Sequence, residues 1–109
     1  MAILNMLGLR LGGPEYTDEF LKLTEESIRV NRDDPKCKYI EAWQDPADSL
    51  RFMVASIWET EEALGEWYKS PFHMDLRKRG MQGMLESYFN RQGPLDETKN
   101  HEWKRPVKA

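Results

Sequence analysis

A chain of 109 residues with a net charge of -3 at pH 7 is a single small domain, and its acidic balance argues against a nucleic-acid partner. The basic run Arg77-Lys78-Arg79 reads as a solvated helix face, and the lone cysteine, Cys37, excludes an internal disulfide. The apolar N-terminus lacks a basic leader and a cleavage pattern and is too short to cross a bilayer, so the expectation is a soluble, cytoplasmic protein with no membrane partner.

Ile3 to Leu11 alternates like a strand and is closed by Gly12-Gly13-Pro14. Thr17 is the expected cap of a helix that carries Asp18 and Glu19 in its first turn, where the macrodipole favours acids. At about 100° per residue, Phe20, Leu21, Leu23, Thr24, Ser27, Ile28 and Val30 fall on one half of this helix and the charged residues on the other. The spacing ends it near Asn31, before Asp33-Asp34-Pro35. Cys37 to Trp43 and Leu50 to Trp58 are predicted strands, joined as a hairpin through Asp45-Pro46-Ala47-Asp48-Ser49.

Thr60 caps the next predicted helix, with Ala63, Leu64 and Trp67 on its inner face and Tyr68 at the edge. Ser70 and Pro71 form a new cap and first-turn pair, opening a further helical piece that runs to about Gln82. Leu85 to Arg91 is the last predicted strand. From Gly93 the composition turns polar and loses periodicity, so residues 1–92 are assigned to the domain and 93–109 to a tail, with Trp103 a possible anchor on a partner.

The order βαββαβ is that of a ferredoxin-like α+β domain, an antiparallel sheet with helices on one face. Phe52-Met53-Val54-Ala55-Ser56-Ile57-Trp58 is apolar on both faces, although helices can cover only one. A second copy packing sheet against sheet would cover the other.

The segment Asp34–Leu76, DPKCKYIEAWQDPADSLRFMVASIWETEEALGEWYKSPFHMDL, carries a strand with a Pro-x-Cys start, an Asp-Pro turn, a Trp-x-Thr-x-Glu-Ala-Leu run and a Ser-Pro/His segment. In these features it resembles the antibiotic biosynthesis monooxygenase family. The resemblance spans about residues 2 to 92 and implies a homodimer with a dimeric α/β barrel. It also implies a small monooxygenase of the cofactor-independent kind, acting on an aromatic or quinol-like compound. The haem-degrading members of the superfamily use an Asn on the first strand, a Trp on the second helix and a His ten residues later. Asn5 and Trp67 match the first two positions, whereas Arg77 stands at the third.

No triad spacing, glycine-rich phosphate loop or metal-ligand pair stands in the sequence. The residues expected to carry chemistry are Asn5, Trp67 and His73, with Arg77 and Tyr39 expected to bind substrate. Each has a plainer reading. Trp67 fits a core aromatic, His73 a hydrogen-bonded rim residue and Arg77 a surface charge. Tyr39 shares a strand face with Trp43 and fits either a cavity wall or a dimer contact. Asn5 is unusual among Ile3, Leu4, Met6 and Leu7, because a buried amide needs partners. Haem binding, with His73 one turn before Arg77, and a non-catalytic dimeric ligand-binding or stress-response module are the rival expectations.

Overall fold

The structure, a computed structural model, describes residues 1–107. Its elements are β1 (Ile3–Leu11), α1 (Thr17–Arg32), β2 (Cys37–Asp45), β3 (Asp48–Trp58), α2 (Glu61–Lys69), α3 (Pro71–Arg79) and β4 (Leu85–Pro94). The strands form one antiparallel sheet in the order β2-β3-β1-β4. This is the expected ferredoxin-like α+β arrangement.

Several boundaries differ from the sequence reading, each for a local reason. The single turn Pro14–Tyr16 runs straight into α1, with the Thr17 amide donating to the Pro14 carbonyl, so Thr17 is already helical rather than a cap. Asn31 stays inside the helix because its buried side-chain amide donates to the Ser27 carbonyl at 2.9 Å. Asp45 pairs with Asp48, which shortens the hairpin turn to Pro46 and Ala47. The Asp45 carboxylate accepts the Ala47 amide at 2.8 Å, closing that turn. The last strand continues past its expected end at Arg91, with Ile3 opposite Pro94 and the Leu95 amide donating to the Ala2 carbonyl. Proline is tolerated there because β4 is an edge strand. Trp103 in the following tail is exposed.

The caps of α2 and α3 form as expected. The Thr60 hydroxyl accepts the Ala63 amide, and the Ser70 hydroxyl accepts the His73 amide with Pro71 in the first turn. α3 ends sooner than Gln82, giving way to a π turn at Gly80–Met84 in which Gly83 takes φ 111°. That left-handed backbone suits glycine and releases the chain into β4.

Strand alternation divides the sheet into two faces. Leu9, Leu11, Phe52, Ser56, Trp58 and Ile40 are buried on the inner face beneath the helices. α1 turns Phe20, Leu23, Ser27, Ile28 and Asn31 inward, a narrower stripe than the sequence predicts, since Leu21 and Val30 are exposed. The buried core forms one cluster around Leu9, Leu11, Phe20, Phe52 and Met84 and another around Cys37, Ile40, Trp58, Ala63 and Leu64. On the outer face Met6, Tyr39, Trp43 and Phe89 are exposed beside Met53 and Ile57.

Candidate functional site

Between the inner sheet face and the helices lies an open cavity of about 450 Å³. Its walls are largely apolar, with Leu7, Ile28 and Val54 among them, and members of both core clusters contribute. Asn5, Trp67, His73 and Arg77 all line it, so the fold gathers these residues from β1, α2 and α3.

Tyr39 does not join them. It pairs with Ile57 on the outer face and borders a separate shallow pocket with Arg32 and Lys38. The expectation that Tyr39 walls the substrate cavity is therefore corrected. A period of two places Tyr39 and Trp43 on one face without saying which face, and that face points away from the helices.

Trp67 is packed as well as exposed to the cavity. Its ring stacks on Trp58 at 6.2 Å and meets His73 edge-on at 5.3 Å. His73 is held from several sides. Its backbone amide donates to the Ser70 hydroxyl at 3.2 Å, and its Nδ1 lies 3.3 Å from the Tyr68 carbonyl oxygen. A carbonyl can only accept, so this contact favours the tautomer with hydrogen on Nδ1 and leaves Nε2 as a base. Burial, together with the nearby charge of Arg77, holds the imidazole below its ordinary pKa, against the opposing pull of the Tyr68 carbonyl. Arg77 itself has no carboxylate within ion-pair distance among the described residues.

The residue that sequence reasoning left at the edge, Tyr68, proves central. Its hydroxyl donates to Asn5 Oδ1 at 2.9 Å and accepts from Asn90 Nδ2 at 2.9 Å and Gln92 Nε2 at 3.0 Å. The buried amide of Asn5 thus has a local partner and still borders the cavity. Ser56, also lining the cavity, accepts the Trp58 indole N–H at 2.9 Å. Asn90 and Gln92 are two residues apart on one strand, so they share a face; their convergence on Tyr68 depends on strand order. An apolar cavity with a neutral imidazole and convergent amides can hold a flat organic molecule and withdraw a proton from it.

Residues 12–79 match the family model for antibiotic biosynthesis monooxygenase. The chain belongs to the antibiotic biosynthesis monooxygenase family. Solved structures share its fold at low identity. Rv0793 from Mycobacterium tuberculosis has a TM-score of 0.78 at 15% identity, with 91% of this chain and 100% of that one covered. PA3566 from Pseudomonas aeruginosa has a TM-score of 0.76 at 17% identity, with 87% and 95% covered. A conserved protein from Methanosarcina mazei Go1 has a TM-score of 0.78 at 14% identity, with 88% and 94% covered. No curated protein matches the sequence.

Within this family setting, Arg77 fails the test for a haem ligand. A guanidinium remains protonated and has no lone pair for iron, so the residue at the expected axial position does not fit the group. Among the described residues, no group of three or more His, Cys, Asp or Glu side chains is placed to hold a metal ion, and no helix is long and apolar enough to cross a membrane.

Proposed function

We propose that this protein is a cofactor-independent monooxygenase acting on a small phenolic or quinol-like aromatic. The observation that carries the reading is His73, held neutral in an apolar cavity with Nε2 left as the basic nitrogen. His73 takes the proton of the phenol, and the electron-rich anion then reacts with dioxygen. One oxygen atom enters the ring as a new carbonyl and the other leaves as water. The substrate supplies all the electrons, so a phenol and dioxygen give a quinone and water without an external reductant.

Arg77, lacking a carboxylate partner, favours substrates that carry or develop negative charge. Oxygen uptake with a panel of phenols, hydroquinones and naphthols tests the reading. His73→Gln should lower turnover by about 10²- to 10⁴-fold with little change in melting temperature. Binding of these aromatics without any oxygen uptake would make the domain a ligand-binding module instead.

Haem degradation is the rival supported by the joint presence of Asn5 and Trp67 at the cavity. A hemin titration decides it: a saturable Soret shift lost in His73→Ala would favour haem, despite Arg77. The homodimer also belongs to the proposal. Trp43 and Tyr39 are 47% and 38% exposed on an apolar sheet face that a second copy would cover.

A further inference from the structure

The Tyr68 hydroxyl has three amide side chains around it and only one hydrogen to give. Asn90 and Gln92 sit two residues apart on β4, and Gln92 lies opposite Asn5 in the ladder. With both donating to Tyr68, the remaining hydrogen goes to Asn5 Oδ1. Each donation into the phenolic oxygen polarises its O–H bond, so the chain of bonds strengthens toward Asn5.

This arrangement decides which end of the Asn5 amide faces the cavity. Oδ1 is turned to Tyr68, and Nδ2 has no hydrogen-bond partner among the described residues. No side-chain nitrogen or oxygen among them is both unpartnered and sealed from solvent. Asn5 is itself buried and lines the cavity, so its amide N–H₂ opens into that space.

We infer that Tyr68 is a positioning residue that holds Asn5 with its amide N–H₂ presented to an anionic oxygen of the bound ligand. This deepens the phenol reading above and rests on it. The ligand class is an aromatic with an ionisable hydroxyl, bound as its oxyanion, whose proton passes to His73 Nε2. Without the Tyr68 hydroxyl the amide is free to turn, and its carbonyl would then repel the same oxygen.

The test uses 4-nitrophenol as the probe, because its neutral and anionic forms differ in absorbance and no turnover is needed. Native protein should bind the phenolate in preference to the phenol, lowering the pKa of the bound probe. Tyr68→Phe, which keeps the ring, should raise that pKa and weaken phenolate binding about tenfold or more, the scale of one hydrogen bond to a charged group. Asn5→Ala should do the same, and adding Tyr68→Phe to Asn5→Ala should change nothing further. Full additivity of the two substitutions would overturn the inference, since Tyr68 would then act on the ligand directly. Equal binding of both forms by native protein, or no binding, would overturn it as well. Phenolate selectivity that depends on Tyr68 through Asn5, but without oxygen uptake on any phenol, would uphold the positioning role and sink only the monooxygenase reading.

Discussion

Nδ1 of His73 lies 3.3 Å from the carbonyl oxygen of Tyr68, five residues earlier in the chain and across the junction of α2 and α3. The contact ties the imidazole to the backbone of the helix that carries Trp67. It also works against the shift that burial imposes on the ring. Burial is the dominant influence and lowers the pKa from an ordinary value of 6.5, with Arg77 adding to the effect.

The sign of the pH dependence follows from that depression. The unfolded chain binds the proton more readily, so the stability associated with neutral His73 is complete above about pH 6.5 and falls as pH drops through the folded-state pKa. Acidification from pH 7.5 to 5 should therefore lower the melting temperature of the native protein more than that of His73→Asn. Turnover should show an acid limb with its midpoint below 6.5. Proton NMR resolves the issue directly, because His101 is the only other histidine. A His73 resonance titrating at or above 6.5 would contradict the account.

Ser56→Ala should cost about 1–3 kcal/mol, the penalty of leaving a buried donor unpaired. Trp58 is 1% exposed and its indole N–H donates to the Ser56 hydroxyl at 2.9 Å, with Ser56 4% exposed. Urea unfolding monitored by tryptophan fluorescence measures the loss. Ser56→Ala together with Trp58→Phe should cost less than the sum of the two single changes, because the second change removes the orphaned donor. Full additivity would show that the bond is worth little.

Trp43→Glu should convert a dimer to a monomer that remains folded, as read by light scattering and circular dichroism. Trp43 is exposed in the isolated chain and pairs with Met53 on the outer face, so the charge disturbs no inner packing. Leu64→Glu is the control. Leu64 is 1% exposed within the inner cluster, and that change should unfold the protein. A monomeric native protein would remove the dimer proposal.

The contrast between Asn5 and Tyr68 shows which parts of the site were legible in the chain. Asn5 stood out because a buried amide on an apolar strand raises the question of its partner. Tyr68 falls at the edge of its helix face, where the pattern assigns it no partner; its importance comes from Asn5, Asn90 and Gln92, residues on strands distant in sequence. The order of elements along the chain, the second cap at Ser70 and the doubly apolar β3 followed from local periodicity and cap chemistry. Tyr39 was misplaced because strand periodicity groups side chains by face but carries no information about where the helices sit. The last strand was expected to stop at Arg91 because the composition turns polar and loses periodicity from Gly93; its extension to Pro94 rests on pairing with Ile3, which the local pattern does not carry.

Ser70 joins the local and the functional levels, and its removal should affect both. Its hydroxyl donates to the Trp67 carbonyl at 2.7 Å, closing α2, and accepts the His73 amide at 3.2 Å, opening α3. One side chain therefore bridges the helix bearing Trp67 and Tyr68 and the helix bearing His73 and Arg77. Ser70→Ala should cost about 0.5–2 kcal/mol, as for loss of an N-cap. Ser70→Asp should restore much of that stability, since a carboxylate can accept the same amide and favours a helix N-terminus. It cannot donate to the Trp67 carbonyl, so the junction stays altered. The expected pattern is thus a near-native melting temperature in Ser70→Asp with weakened phenolate binding and a shifted His73 titration. Recovery of binding in step with stability would mean that Ser70 supports the helix alone and that the angle at this junction does not govern the cavity.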